Sequence, residues 1–330
     1  MSILSSTKIK IGSLTLDNRF FLAPLTKVTD LPFRLLVKQY KPGLMFTEMI
    51  DAKNLAKEKH SVVDKIKTTP AEQPIGLQLF GTKESFYTQA IKKFEDHFSL
   101  FDLNLGCPTD EAISQGAGVI LLRRPQKMIK IIEAMVSATD KPVTVKIRLG
   151  LNDSSNFFKT IMQIEQAGAA AICIHGRLAY DSYKIPNKWD VIKQAKETLN
   201  IPVIGNGDIF NGLLANKYIN EQYADAVMIG RSAIHNPKVF EECHTDAILE
   251  ITEKERWNWI NEFYTNGIDN NFLRMIRLRK RVSDFLHPFL SVQDRKMLRN
   301  ENLKLKFDEL NEFLEKRFQR QIHPINQINS

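Results

Sequence analysis

A cysteine follows the end of a predicted strand in the segment DLNLGCPTDEAISQGAGVILL, which runs from Asp102 to Leu122. The first four residues of this segment alternate like a buried strand, and Gly106 and Pro108 on either side of Cys107 end it. Most cysteines in such a position are small core residues. The alternative is that Cys107 leaves the strand to face a substrate, on a loop that the later glycines allow to move or to pack closely.

Polar residues also end several other predicted strands. Lys146 brings an amine, His175 an imidazole and Arg231 a guanidinium group. Each alone has an ordinary structural explanation, because a lysine at a strand end can extend into solvent and a histidine can be held by hydrogen bonds. The whole set comprises Glu48, Gln78, Asn104 with Cys107, Lys146 with Arg148, His175, Asn206 with Asp208, and Arg231.

The elements that must position these residues alternate along the first 230 residues. Short apolar runs, typical of parallel strands covered on both faces, are separated by segments with helical periodicity. This alternation predicts an α/β fold, a (β/α)8 TIM barrel, in which the strand ends converge on one mouth. An open doubly wound sheet is the alternative architecture. The eight runs are Arg19–Pro24, Gly43–Met49, Ile75–Phe80, Leu100–Leu105, Pro142–Arg148, Ala170–Gly176, Ile201–Gly207 and Asp225–Gly230.

The pattern changes near residue 246. Three segments with helical periodicity follow, and none of the later sequence has the character of a strand. The sequence therefore predicts a barrel domain at 1–245, followed by a smaller all-helical domain at 246–330.

Two glycine-containing loops end the seventh and eighth predicted strands. They are GNGDI at Gly205–Ile209 and IGRSA at Ile229–Ala233. Barrels often bind phosphate at these two strands, and Arg231 can add charge-assisted hydrogen bonds. With Gln78 and Lys146, these loops suggest a pocket for FMN, whose reduced ring a nearby cation stabilises. A phosphosugar isomerase or aldolase, with Lys146 as a Schiff-base amine, could use the same loops.

Composition is that of an ordinary globular protein with an excess of positive charge. Of the 330 residues, 43% are hydrophobic, and the formal net charge of +8 favours a polyanionic partner. The three cysteines form no CxxC pair, which favours a reducing cytoplasm and gives no sign of a metal site. No segment has the features of a signal peptide or a membrane helix. We expect a soluble cytoplasmic protein with no membrane association, no metal and no obligate protein partner.

The motifs, in their order, resemble those of the tRNA-dihydrouridine synthases. LAPLTKVTDLPFR is similar to the N-terminal motif of that family, and DLNLGCPTDEAISQGAGVILL to its catalytic loop. PVTVKIRLG, CIHGR, PVIGNGDI and AVMIGRSAIHNP follow, so the resemblance spans roughly residues 19 to 240. It implies an FMN-binding barrel with a helical RNA-binding domain. The implied reaction is reduction of a uridine in tRNA to 5,6-dihydrouridine, with NADPH reducing the flavin.

The resemblance also implies roles for individual residues. Cys107 is the implied proton donor, Asn104 helps to hold the substrate base, and Arg148 and Arg177 contact substrate or RNA. The implied FMN contacts are Pro24, Leu25, Thr26, Gln78, Lys146, His175, Asn206, Gly207, Asp208, Gly230 and Arg231.

A thiol suits the implied reaction. Hydride addition to C6 of uracil creates enolate character at C5, which must then receive a proton from the opposite face. A thiol is mostly protonated at neutral pH yet acidic enough to give up its proton, whereas a serine hydroxyl is a far weaker acid.

Basic residues near the C-terminus are the implied RNA contacts. RMIRLRKR, at residues 274–281, places Arg274, Arg277 and Arg281 at helical spacing, so they could form one face that meets phosphates. A solvated helix face is the ordinary explanation of such a run. The chain departs from the family pattern at Thr26 and Lys27, where small residues are usual, and at Leu178, where threonine is common.

Three alternative functions remain at this point. The first is an FMN dehydrogenase acting on a free small molecule such as dihydroorotate or an enone, which leaves the basic helical domain without a task. The second is a cofactor-free lyase or isomerase that binds phosphate. The third is an RNA-binding protein built on a degenerate barrel.

Overall fold

The computed structural model describes residues 8–270 and 274–323 and shows a barrel of eight parallel strands. A two-stranded hairpin precedes the barrel, and one further short strand, β5, pairs with β6 outside the main order. The strands are β1 (Ile9–Ile11), β2 (Leu14–Leu16), β3 (Phe20–Leu22), β4 (Met45–Phe46), β5 (Ile50–Asp51), β6 (Ile75–Phe80), β7 (Leu100–Leu105), β8 (Val143–Arg148), β9 (Ala171–His175), β10 (Val203–Asn206) and β11 (Ala226–Ile229).

The barrel closes between its first two strands. The hydrogen-bonded order is β3-β11-β10-β9-β8-β7-β6-β4, and a parallel bridge from Phe21 to Leu44 joins the two ends. The backbone N–H of Leu22 donates to the carbonyl of Leu44 at 2.9 Å. Each predicted strand contains one strand of the barrel, so the predicted (β/α)8 architecture is confirmed and the open sheet is excluded.

Helices surround the barrel and form the rest of the described chain. Asp30 caps the first of them, since its carboxylate accepts a hydrogen bond from the backbone N–H of Phe33 at 3.3 Å. The helices are α1 (Leu31–Lys38), α2 (Ala52–Ala56), α3 (His60–Val63), α4 (Glu84–Phe94), α5 (Asp110–Ser114), α6 (Pro125–Val136), α7 (Phe157–Gln166), α8 (Trp189–Thr198), α9 (Gly212–Asn220), α10 (Arg231–His235), α11 (Val239–Thr245), α12 (Glu253–Asp269), α13 (Met275–Phe285), α14 (Val292–Arg299) and α15 (Phe307–Phe318).

The N-terminal hairpin belongs to the apolar filling of the barrel. Ile9, Ile11 and Leu16 are buried in one cluster with interior residues of the barrel strands, such as Phe21 and Ile204. The sequence analysis assigned no strand to this segment. The reason is that each strand of the hairpin has three residues, too few to show the alternation that identifies a strand.

Helices α12 to α15 share their core with the barrel. Trp259 of α12 and Phe285 of α13 belong to the same buried cluster as Phe33 and Leu36 of α1. The indole N–H of Trp259 donates to the hydroxyl of Tyr40 at 2.7 Å. Residues 246–270 and 274–323 contain helices and no strand, as the sequence predicts, but they pack directly on the barrel and not as a body with a separate core. A division at residue 245 stays a prediction.

The residues that the structure describes contain neither a candidate membrane-spanning helix nor a candidate metal site. None of the helices there is long and apolar enough to cross a membrane. Within the same residues, no group of three or more His, Cys, Asp or Glu side chains could hold a metal ion.

Candidate active site

The carboxyl ends of the barrel strands surround a cavity of about 680 Å³. Most of the residues that the sequence singled out line it, together with residues that it did not single out. The predicted residues in the lining are Pro24, Leu25, Thr26, Gln78, Asn104, Cys107, Lys146, Arg148, His175, Asn206, Gly207, Asp208, Gly230 and Arg231. Thr109, Phe210 and His235 also line the cavity.

A chain of buried side chains leads from the barrel wall to the cysteine loop. Asp102 accepts hydrogen bonds from the Gln78 amide nitrogen at 2.7 Å and from the Thr144 hydroxyl at 2.6 Å. Gln78 must therefore turn its amide oxygen outward, where it accepts from the amide nitrogen of Asn104 at 2.9 Å. The Asn104 oxygen in turn accepts from the backbone N–H of Cys107 at 2.9 Å. The start of the cysteine loop is thus fixed by strands β6, β7 and β8.

Asp102 belongs to this series of hydrogen-bonded side chains, but the sequence did not single it out as a site residue. Its carboxylate is buried, and burial raises its pKa to about 6, although hydrogen bonds from Gln78 and Thr144 and the charge of Lys146 lower it. An acid inside a strand with the sequence LFDLNL was the signal that could have identified it, because a buried carboxylate needs partners.

Cys107 differs from the other two cysteines in its exposure. Its thiol is half-buried at the cavity, and its sulfur lies 3.2 Å from the Thr109 hydroxyl. Cys173 and Cys243 are buried in apolar surroundings, and burial raises the pKa of Cys173 to about 12 and that of Cys243 further still. Cys107 is therefore the cysteine that a substrate in the cavity can meet.

Gly118 holds the far end of the cysteine loop. Its φ of +61° lies in the left-handed region, and a Cβ atom there would lie 2.6 Å from the carbonyl oxygen of Cys107. That carbonyl accepts a hydrogen bond from the backbone N–H of Val119 at 3.2 Å. A side chain at Gly118 would therefore displace the backbone of Cys107.

Lys146 is held at the cavity by β10. Its Nζ donates to the Asn206 side-chain oxygen at 2.9 Å, and the Asn206 amide nitrogen donates to the carbonyl of Met228 at 2.7 Å. These two bonds fix both the orientation of the amide and the position of the ammonium group.

Positive charge dominates the cavity. His175 is buried, and burial together with the charges of Lys146, Arg148, Arg177 and Arg231 lowers its pKa to about 2. Its imidazole is therefore neutral and can act through hydrogen bonds but not through charge. Among the described residues that line the cavity, Asp208 is the one acid.

Asp208 is already neutralised by two arginines. Its carboxylate meets Arg177 at 2.6 Å and Arg231 at 3.2 Å. The guanidinium of Arg231 also lies 4.0 Å from the centre of the Tyr183 ring. The remaining charge of the site is positive and suits an anionic ligand.

Arg177 does not have the surface position that a contact with RNA requires. It is 1% exposed and donates to the carbonyls of Ile185 and Tyr183 as well as to Asp208. Its contact with Asp208 supports the lining of the cavity. Arg148, in contrast, lines the cavity, where its guanidinium donates to the carbonyl of Leu178 at 2.8 Å.

The expected basic face on α13 is wrong for two of its three arginines. Arg277 and Arg281 are buried against the barrel, where Arg277 meets Glu48 at 2.8 Å and Arg281 meets Asp284 at 3.0 Å. Arg274, at the start of α13, is exposed. Charge and helical spacing were the same for all three, so the sequence could not show which face of α13 packs inward.

A closed barrel whose strand ends carry a cation-rich cavity and a half-exposed thiol defines this chain as a barrel enzyme. A structure of TcOYE with pHBA has the same fold, with a TM-score of 0.58 and 14% identity over 81% of this chain and 98% of that one. Likeness at this identity shows the fold alone.

Sequence comparisons identify the family. The family profile described as dihydrouridine synthase matches residues 21–322. A protein of Synechocystis sp. named probable tRNA-dihydrouridine synthase 1 is 37% identical over 232 residues, which is 69% of this chain and 65% of that protein, just under two thirds of its length. The protein named tRNA-dihydrouridine synthase B of Pseudomonas aeruginosa is 34% identical over 236 residues, 71% of each chain.

The chain belongs to the dihydrouridine synthase family. The resemblance drawn from its motifs is confirmed at the level of the family.

Proposed function

We propose that this protein is a tRNA-dihydrouridine synthase that reduces the C5=C6 bond of uridines in tRNA, with FMN as its cofactor and NADPH as the reductant. The observation that carries this proposal is the thiol of Cys107, half-exposed at a cation-rich cavity on a loop that hydrogen bonds fix at its start. The names of the relatives support the substrate class.

The cavity fits FMN in size and charge. Its volume lies within the range of about 300 to 1,000 Å³ that is usual for cofactor sites. Lys146 and Arg231 offer cationic donors, the first for an electron-rich ring and the second for a phosphate. Gly207 and Gly230 line the cavity at the ends of β10 and β11, the strands at which barrels often hold phosphate. When bound and reduced, FMN would supply the hydride for C6.

The protein's own part is to hold the base and to move one proton. Asn104 lines the cavity with its amide oriented by Gln78, so it can position the uracil edge. The thiol of Cys107 then protonates C5: the S–H bond breaks, a C5–H bond forms, and the electron pair stays on sulfur. Thr109, 3.2 Å from that sulfur, can donate a hydrogen bond to the resulting thiolate.

Replacing Gly118 with alanine is expected to lower the turnover of uridine by about 100-fold, because displacement of Cys107 by about 1 Å removes the alignment of its thiol. FMN should stay bound, since Gly118 is not in the lining of the cavity. Gly116→Ala is the matched control: its φ is also positive, at +71°, but an added Cβ meets Arg124 and not Cys107. Equal turnover of the two variants would contradict the role of Gly118.

A uridine inside folded tRNA must leave its stack to reach the cavity, so binding energy must come from contacts with phosphates. Exposed cations that could take this role lie on α14, among them Lys296 and Arg299. His235 lines the cavity, and its ring lies 5.5 Å from that of His287, which borders a groove with Arg295, Lys296 and Arg299. We infer that this groove, and not the buried face of α13 that carries Arg277 and Arg281, continues the RNA surface. A contact at Arg274 stays a prediction.

Lys296→Glu is expected to weaken tRNA binding several-fold and to reduce the slope of log affinity against log salt by about 1, the effect of losing one phosphate contact. Lys92→Glu, on the exposed face of α4, makes the same change of charge away from the groove. Filter binding at several salt concentrations separates the two. Identical salt slopes for both variants would remove α14 from the interface.

The proposed function is tested by incubating the protein with FMN, NADPH and tRNA transcribed without modifications. Mass analysis of the digested RNA should show uridines heavier by about two daltons, the mass of two added hydrogens. Reduction of a free enone or pyrimidine, with no change in the RNA, would favour the small-molecule dehydrogenase instead.

A further inference from the structure

The segment that follows β3 is held in an unusual backbone conformation beside the cavity. Leu25 and Thr26 line the cavity, and Lys27 next to them has a φ of +64°, in the left-handed region that residues with a side chain rarely adopt. Such a conformation persists when the surroundings hold it. In this protein two acids contact Lys27: Glu48 binds its backbone N–H, and Glu301 binds its ammonium group.

Glu48 holds the backbone of this segment. One oxygen of its buried carboxylate accepts a hydrogen bond from the backbone N–H of Lys27 at 2.5 Å. The other oxygen accepts from Nη2 of Arg277, on α13, at 2.8 Å. Glu48 therefore connects α13 to the segment beside the cavity.

The guanidinium group of Arg277 suits a position between two carboxylates. Its side chain is about one tenth exposed, and its second nitrogen lies 3.6 Å from the Asp30 carboxylate. A planar guanidinium can face two carboxylates at once, which a lysine ammonium does less well. Burial raises the pKa of Asp30 to about 6, while the charges of Arg277 and Arg281 lower it. Without Arg277, the Glu48 carboxylate would be buried with no cation against it.

A second connection runs along the surface. The ammonium of Lys27 meets Glu301 at 3.1 Å, and Glu301 also meets Lys280 of α13 at 2.6 Å. Both ends of Lys27, its backbone and its side chain, are thus connected to the region of α13.

We propose that Arg277 is a positioning residue of the active site: through Glu48 it fixes the backbone of Lys27, and with it the Leu25–Thr26 segment against which the cofactor binds. This inference rests on the proposed function for the identity of the cofactor. It assigns to the helical region a part in building the cofactor site, separate from RNA binding.

The test compares Arg277→Met with Arg281→Met. Both variants remove a buried arginine from the same helix, but Arg281 pairs with Asp284 and not with Glu48. Hydrogen exchange of the Lys27 amide, measured without cofactor, should be at least about tenfold faster in Arg277→Met and unchanged in Arg281→Met. FMN affinity should fall by about tenfold in Arg277→Met alone, whereas tRNA affinity at saturating FMN should stay within about twofold of the wild type.

A double-variant cycle covers the case in which Arg277→Met fails to fold. This cycle uses Arg277→Lys, which keeps the cation but faces two carboxylates less well, together with Glu48→Gln and Arg277→Lys/Glu48→Gln. If Arg277 acts through Glu48, its replacement should change Lys27 exchange less in the Glu48→Gln variant than in the wild type. Additive effects, or equal exchange in Arg277→Met and Arg281→Met, would overturn the proposal.

Two further outcomes separate this inference from the function on which it rests. Loss of tRNA binding with unchanged FMN affinity would make Arg277 an RNA contact and would also overturn the inference. Failure of the wild type to bind FMN would instead defeat the proposed function, while the exchange of Lys27 would still decide whether Arg277 positions the segment.

Discussion

Replacing Cys107 with alanine is expected to lower the rate of uridine reduction by about 10²- to 10⁴-fold while FMN stays bound, because the variant loses the general acid for C5 and keeps the cationic donors of the cavity. The hydrogen bonds that Asn104 donates to Gln78 and accepts from the backbone N–H of Cys107 do not involve the thiol, so the start of the cysteine loop should stay in place. The rate of uridine reduction is measured in a single turnover, with enzyme whose FMN has been reduced before tRNA is added.

Two variants make this result specific to the thiol. Cys107→Ser keeps the size of the side chain but offers a much weaker acid, so its rate should be close to that of Cys107→Ala. Cys243→Ala removes a buried thiol on α11, remote from the cavity, and should leave the rate unchanged. A Cys107→Ala rate within a few-fold of the wild type would exclude the thiol as proton donor.

Replacing Lys146 with methionine should weaken FMN binding and slow uridine reduction by about 10²- to 10³-fold, the usual effect of losing one fixed charge that stabilises developing charge. Methionine has a similar length but leaves the Asn206 oxygen without the donor that now lies 2.9 Å away. Fluorescence titration with FMN and the reduction potential of the bound flavin report the two effects separately. The potential should become more negative, because the reduced flavin carries negative charge.

Lys141 provides the matched control for Lys146. It lies just before the opposite end of the same strand, where its ammonium donates to the carbonyl of Phe98 at 2.7 Å. Lys141→Met should lower stability without changing the flavin's potential. Equal effects of the two variants on FMN affinity would show that Lys146 acts through folding and not through the cofactor.

The barrel could be predicted because its strands are buried on both faces. Runs such as IGLQLF and LFDLNL are mostly apolar, and all six residues of β6 and of β7 are buried. The positions of the site residues followed from topology alone, since the carboxyl ends of parallel strands must meet. Gln78, Lys146 and Asn206 converge for this reason, although they are far apart in the chain.

The parts that escaped prediction depend on which surfaces pack against each other. Arg277 and Arg281 have the spacing of an exposed basic face, but the partners that bury them, Glu48 and Asp284, lie 229 positions before Arg277 and three after Arg281. Arg177 resembles a ligand contact in sequence and serves as a buried support. The spacing of charges does not show that Arg277 packs against Glu48, which lies on a distant part of the chain.

Lys27 illustrates the same limit at a single position. In sequence it is an unexplained bulky residue where small ones are usual, and the structure shows a backbone in the left-handed region with its ammonium paired to Glu301. Its partner Glu301 lies 274 positions further along the chain, so the sequence alone does not show the contact.

The central claim is that the Cys107 thiol delivers a proton to one face of C5, opposite the face of C6 that receives hydride. It is tested most directly by reducing unmodified tRNA in D₂O, where the thiol carries deuterium, and by determining the configuration at C5 of the dihydrouridine by NMR. If Cys107 is the proton donor, the product should carry one deuterium at C5, in a single configuration and on the face opposite the new hydrogen at C6. Deuterium distributed over both faces of C5, or added on the same face as that hydrogen, would contradict it.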